Sequence, residues 1–148
     1  MQQVTLHLAD ERDCGLLALL NRELILAEHS DNEMSYVTLK DCMQTFLRGT
    51  YRAWIFRADN VIVGYALVDV GVEPYYLRQF CILESIRGKG FGRAAFMELQ
   101  RMFGAIALDI DVLVWNVAGA AFWHKMGFEP RYTRMRMGSS TTDLIPES

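Results

Sequence analysis

The residues best suited to chemistry are Arg87-Gly88-Lys89-Gly90-Phe91-Gly92-Arg93, where three glycines at alternate positions are interleaved with three cations. Glycine lets backbone N–H groups approach a ligand closely and admits φ > 0. Residues 75–82 just ahead read as a strand, and a helix is expected from Phe91. A helix starting there turns unpaired N–H groups and the positive end of its dipole toward the loop. Such a junction binds anions, and a phosphate or pyrophosphate suits it. The spacing is G-x-G-x-G, so it is neither the G-x-x-x-x-G-K-[ST] phosphate loop nor the dinucleotide fingerprint G-x-G-x-x-G.

Other chemistry-bearing residues point elsewhere. Cys14, Cys42 and Cys81 are odd in number and share no C-x-x-C spacing, so neither a zinc site nor a disulfide framework is indicated and no metal is expected. Each lies in an apolar pattern and reads as a small buried hydrophobe. Asp109 and Asp111 alternate with Leu108, Ile110, Val112 and Val114, which makes them the solvated face of a strand. The chain has 148 residues, 51% hydrophobic and 22% charged, which is the composition of one globular domain. A net charge of −3 disfavours nucleic acid as a partner, although Arg78, Arg87, Lys89 and Arg93 gather near the glycine loop. No basic leader with an apolar run and no membrane-length stretch appears, so a cytoplasmic protein without a membrane partner is expected.

The elements that must position the loop follow in order. Val4-Thr5-Leu6-His7-Leu8 alternates as a first strand with His7 on the outer face. Asp10 caps a helix with Asp13 in its first turn, and Leu16, Leu17, Leu20, Leu24 and Ala27 form its apolar stripe. A polar loop with His29, Asp31, Glu33 and Tyr36 leads to Thr38-Leu39-Lys40-Asp41, a capping box for a second helix ended by Gly49. Residues 51–57 and 61–70 form a hairpin about Ala58-Asp59-Asn60, with Gly64 marking a bulge or a close backbone approach. After the strand at 75–82 and the glycine loop comes a helix over 91–103 with Phe91, Ala95, Leu99 and Met102 on one face. A strand over 107–115, a short helix beyond Asn116 closed by Gly127, and a last strand over 128–137 complete the chain, with 139–148 as a flexible tail. The order is β-α-α-β-β-β-α-β-α-β in one domain spanning 1–148.

Two blocks carry a resemblance. Arg87, Gly90 and Gly92 match the Arg/Gln-x-x-Gly-x-Gly/Ala signature of the GNAT N-acetyltransferase superfamily. Asn116-Val117-Ala118-Gly119-Ala120-Ala121-Phe122-Trp123-His124-Lys125-Met126-Gly127-Phe128 resembles its second block, a strand ending in Asn, a short helix and a closing Gly-Phe. The resemblance implies an α/β (α+β) fold with a single mixed, mostly antiparallel sheet flanked by helices, and acetyl-CoA as cosubstrate. It further implies transfer of an acetyl group to a primary amine by a monomer or homodimer. Where two neighbouring parallel strands part, the amide-bearing pantetheine arm would fill the gap as a pseudo-strand. Phe80 and Ile82 would offer it their backbones, Arg87, Gly88, Lys89, Gly90, Phe91, Gly92 and Arg93 would hold the pyrophosphate, and Asn116 would line the far wall.

A backbone N–H at Cys81 or Ile82 would serve the carbonyl oxyanion in such a site. The general base stays open among Glu28, Glu33, Glu73 and Tyr76. One position departs from the family. The tyrosine that usually protonates the leaving thiolate, four residues before the Gly of Gly-Phe, is Trp123 here. An indole donates a hydrogen bond but is no usable acid, so Trp123 is expected to pack against the thioester arm. A catalytically silent acyl-CoA-binding module of the same fold is the alternative reading.

Overall fold

The computed structural model describes residues 2–28 and 32–138. The expectations for His29, Asp31 and the tail at 139–148 lie outside these. Strand β1 (Thr5–Leu8) leads through a capped turn into α1 (Cys14–Ala27). Asp10 accepts from Arg12 N at 2.9 Å while Asp13 accepts from Asp10 N at 2.9 Å, closing a reciprocal cap. Helix α2 (Tyr36–Arg48) begins earlier than expected. Its cap is Ser35, which accepts from Thr38 N at 3.2 Å, so Thr38 lies inside the first turn rather than at its head. Gly49 ends it, as expected.

Strands β2 (Tyr51–Ala58), β3 (Val61–Asp69) and β4 (Tyr75–Ile82) follow, then α3 (Phe91–Phe103), β5 (Leu108–Ile110) and α4 (Val117–Lys125). The sheet order is β1-β2-β3-β4-β5, antiparallel throughout except for the parallel β4–β5 pair. This is a mixed, mostly antiparallel α+β sheet between two helical layers. On one face α1 and α2 bury Leu17, Leu24 and Met43 against Ile55, Tyr65, Leu67 and Cys81. On the other, α3 buries Ala95, Phe96 and Leu99 against Trp54, Phe56, Val68 and Leu77.

Four expectations are corrected. Met102 is 45% exposed, and Phe103 takes its place by stacking edge-on against Trp54 and Tyr75 at 5.4 and 5.3 Å. Cys42 is only half-buried, whereas Cys14 and Cys81 are buried. The fifth strand covers three residues instead of 107–115: Asp111 leaves the ladder to accept from Tyr76 Oη at 2.8 Å, and Asn116 N turns the chain back onto Leu113 O. No strand forms over the described part of 128–137. Pro130 supplies no ladder donor, and the adjacent polar pair Thr133-Arg134 breaks the alternation between Tyr132 and Met135, both strongly exposed.

Candidate functional site

The site is built on a mismatch of strand lengths. The β4–β5 ladder ends at Leu77 opposite Ile110, yet β4 runs on to Ile82. Residues beyond Leu77 therefore have β3 on one side and an open edge on the other. A bulge precedes this stretch, because Leu67 pairs with Gln79 and Val68 with Leu77, leaving Arg78 without an opposite residue. Arg78 lies over the rings of Phe46 and Tyr51 at 5.1 and 5.6 Å and donates to Tyr51 Oη at 2.7 Å.

Backbone alternation then decides which groups face the gap. Leu83 N donates to Val63 O at 2.9 Å, so Cys81, two residues earlier, also turns its backbone toward β3. Phe80 and Ile82 turn theirs to the open edge. Of the two amides considered for an oxyanion, Cys81 faces the sheet and only Ile82 faces the gap. Gly64 permits the local approach of β3 and β4: a Cβ there would stand 1.9 Å from Cys81 O. The Cys81 thiol is pushed up to about 11 by burial, against a smaller opposing effect of Arg87. It is a packed thiol and not a nucleophile.

Beyond β4 the chain makes a single 3-10 turn (Glu84–Ile86), tethered to α1 where Glu84 N donates to Glu23 Oε1 at 3.0 Å. Arg87 then folds back, and its Nε donates to Ile82 O at 2.8 Å. Gly88 and Gly90 hold φ of +78° and +90°, which side-chain-bearing residues rarely adopt. A Cβ on Gly88 would meet nothing within 4 Å, so the turn is open to a ligand. Gly90 caps α3 without any side chain, leaving the first-turn N–H groups exposed to an incoming anion. Arg87, Lys89 and Arg93 are exposed around it, while Phe91 and Gly92 are half-buried. Gly92 lies under Phe122, a prospective Cβ meeting its ring at 3.5 Å.

Asn116 caps α4 by accepting from Gly119 N at 3.0 Å. Further along that helix, Trp123 sits in an aromatic cluster, with ring centroids 5.0 Å from Phe80, 5.4 Å from Phe96, 4.8 Å from Phe122 and 5.4 Å from Phe128. The indole thus braces the strand residue at the open edge, Phe80, against α3 and α4.

The candidate bases separate in space. Glu73 is exposed in the turn before β4, about 30 Å at strand rise from Ile82 at the strand's other end. Tyr76 is engaged with Asp111 in the paired half of β4. Glu33 is exposed ahead of α2. Glu73 and Tyr76 thus lie at the paired end of β4 and not at its open end. Glu28 is different. It ends α1 and, with Ala27, Leu113, Trp115 and Asn116, lines a cavity of about 110 Å³. Its Oε1 is buried without a hydrogen-bond partner, and burial pushes its carboxyl above the usual range.

Sequence reasoning passed over the polar groups beneath this region. Tyr65 Oη donates to Gln79 Oε1 at 2.6 Å inside the sheet–α1 layer, and Asn21 is fully buried within the apolar stripe of α1. The signal was available: Asn21 interrupts a run of otherwise apolar stripe positions. Leu113 and Trp115 were read as strand residues and instead line the cavity. Among the described residues no three His, Cys, Asp or Glu side chains gather as a metal site, and no helix is long and apolar enough to cross a membrane.

Known structures share this fold. The fold is similar to that of an acetyltransferase from Thermus thermophilus, with a TM-score of 0.73 and 22% identity over 87% of this chain and 90% of that one. A predicted acetyltransferase from Clostridium acetobutylicum, solved with acetyl-CoA, superposes with a TM-score of 0.71 and 15% identity over 92% of this chain and 96% of the other. The aminoglycoside N-acetyltransferase AAC(6')-Iy in complex with CoA gives a TM-score of 0.71 and 15% identity over 94% and 96%. No curated protein matches the sequence. The profile of the Acetyltransferase (GNAT) family matches residues 15–128.

Proposed function

The chain belongs to the GNAT acetyltransferase family, and on that footing we propose that it is a cytoplasmic N-acetyltransferase moving the acetyl group of acetyl-CoA directly to a primary amine. The observation that carries the reading is the continuity of the open edge of β4 with the positive-φ turn at Gly88 and Gly90 and the start of α3. An amide-bearing arm laid along Phe80 and Ile82 runs straight to a pyrophosphate held at residues 87–92. The residues fit that cosubstrate: the edge supplies backbone groups that no neighbouring strand pairs, Ile82 O being held by Arg87 Nε, the loop supplies N–H groups and cations, and nothing blocks Gly88.

Transfer then rests on positioning and electrostatics. The Ile82 N–H faces the gap and serves as the donor to the carbonyl oxygen. Trp123 holds Phe80 and thereby the edge itself, and the leaving thiolate takes its proton from solvent. The Clostridium acetobutylicum and AAC(6')-Iy structures, solved with acetyl-CoA and CoA, support the choice of cosubstrate.

Calorimetric titration with acetyl-CoA, followed by free-thiol release across a panel of primary amines, tests this. Binding with turnover of at least one amine is expected. Binding without any turnover would favour the silent acyl-CoA-binding module, for which Trp123 in place of an acidic phenol is the supporting observation. Absence of binding would reject both.

A further inference from the structure

Between the end of α1 and the segment joining β5 to α4 lies the cavity of about 110 Å³ lined by Ala27, Glu28, Leu113, Trp115 and Asn116. Three properties of its lining point to a ligand. The first is an unsatisfied polar group: Glu28 Oε1 is buried with no hydrogen-bond partner. A buried carboxylate oxygen in that state carries a desolvation cost that a cation or donor would relieve. The second is the wall opposite, where Trp115 and Leu113 give apolar surface and Trp115 remains 56% exposed. An indole face beside a carboxylate favours a cation on an apolar stem. The third is size. Pockets for drug-sized molecules run to roughly 300–1,000 Å³, so this cavity admits one arm of a molecule and not a multi-ring body.

The position is equally specific. Glu28 charge bears on both Tyr65 and Cys81, and Cys81 directly precedes Ile82 at the open edge of β4. The carboxyl therefore stands at the end of the sheet where the strands part. Asn116 belongs to the same lining while its own Oδ1 is committed to the α4 cap.

We infer that this cavity is the acceptor subsite, that it takes a primary ammonium group on a short apolar stem, and that Glu28 both pairs with the ammonium and removes its proton. The inference rests on the acetyl-transfer reading above and names its acceptor class and base. The ammonium gives one proton to the Glu28 carboxylate, and the neutral amine nitrogen attacks the acetyl carbonyl carbon. A C–N bond forms, the C–S bond breaks, and the thiolate leaves with the electron pair and is protonated by water. The attacking nitrogen sheds its second proton to solvent, and Glu28 returns the first. The balance is ammonium plus thioester giving amide, thiol and one released proton. The titratable groups around Glu28 are Tyr65 from β3 and Cys81 from β4, both kept neutral by burial, with Glu23 of α1 and Arg87 of the glycine turn acting on Cys81. Burial moves the ionisation of Glu28 upward from the ordinary carboxyl range.

The test uses the whole protein, butylamine and benzylamine as probes, and butanol as the uncharged isostere. In amide NMR without acetyl-CoA, both amines are expected to shift Ala27, Glu28, Leu113, Trp115 and Asn116, and butanol is expected to leave them unmoved. Glu28→Gln should abolish the amine shifts. With acetyl-CoA present, Glu28→Gln should lower kcat/KM by about 10²–10⁴-fold and remove the acid limb of its pH profile. Glu28→Asp should keep that limb at reduced rate. Amine shifts that fall elsewhere, that are absent, or that survive Glu28→Gln would overturn the inference, as would an acid limb unchanged in that variant. Failure of the wider reading looks different: the amines would occupy the cavity while acetyl-CoA left the amides of 87–92 undisturbed.

Discussion

Arg87 Nε donates to the carbonyl oxygen of Ile82 at 2.8 Å across the open edge of β4. The side chain that begins the glycine turn thus satisfies the backbone acceptor that the proposed cosubstrate would use. Arg87 fills the edge in the free protein, and in the proposed complex it would also meet phosphate. The two roles are exclusive at Ile82 O if an amide N–H of the arm takes its place.

Arg87→Ala should accordingly weaken acetyl-CoA binding only modestly. The variant loses a charge-assisted contact of about 1.5–3 kcal/mol but no longer has an internal bond to exchange. A net loss of about tenfold in Kd is expected, shrinking as ionic strength rises and screens the cation. Titration calorimetry at low and high salt checks this, and a salt-independent loss would contradict a phosphate role.

Gly90→Val should be the more damaging change. It places a β-branched side chain at φ +90° on the cap of α3, at a strain of about 1–3 kcal/mol, and puts methyl groups where phosphate is to sit. Circular dichroism should show a folded protein, and calorimetry should show acetyl-CoA affinity lost. Retained affinity in a folded variant would remove the basis for the site.

For Trp123 the aromatic cluster sets the expectation. Trp123→Ala removes the ring wedged among Phe80, Phe96, Phe122 and Phe128, costing about 3 kcal/mol in urea unfolding and loosening the edge at Phe80. Trp123→Tyr should change turnover little, because a smaller phenol leaves the cluster underfilled. A gain of about 10²–10⁴-fold with unchanged binding would mean that the position lacks only an acid.

Glu28 makes a prediction about stability as well as rate. Burial raises its carboxyl above the usual 4.5, so the folded chain holds that proton more tightly than the unfolded chain. Stability linked to Glu28 is therefore full below the ordinary carboxyl range and is lost as pH climbs through the raised folded value. Glu28→Gln should melt higher than the native protein at neutral pH and at about the same temperature near pH 3. Thermal melts across pH measure the difference, and a variant less stable at neutral pH would indicate an internal partner for the carboxylate.

Much of the frame was legible because its signals are local. The capped turn at Asp10, the hairpin about Asp59 and Asn60, β4 and the helix from Phe91 to Phe103 each follow from short-range pattern and emerge with nearly the expected bounds. The glycine turn was legible for the same reason, since positive φ at Gly88 and Gly90 is written in residue type. What escaped depends on distant partners. The end of β5 is set by a tyrosine on another strand, Tyr76, drawing Asp111 out of the ladder. What sets Glu28 apart from the other two glutamates and Tyr76 is a cavity it shares with Leu113 and Trp115, far away in sequence. A charged residue at the end of a helix carries no mark of that in its own neighbourhood.

The bulge at Arg78 carries a further consequence, for how β4 tolerates change. Leu77 and Gln79 are both odd-numbered, yet Leu77 packs toward α3 and Gln79 bonds to Tyr65 on the α1 side. The extra residue reverses the parity of the strand, so its first half obeys one inside–outside assignment and its second half the opposite one. Removing Arg78 alone would restore strict alternation with every face kept, because Leu77 and Gln79 already lie on opposite faces and pair with the adjacent residues Val68 and Leu67. A single residue inserted after Gln79 would do the opposite, turning Cys81 into the aromatic layer and Phe80 and Ile82 toward the helix bearing Glu28. The bulge is thus where β4 can lose a single residue without exchanging its faces.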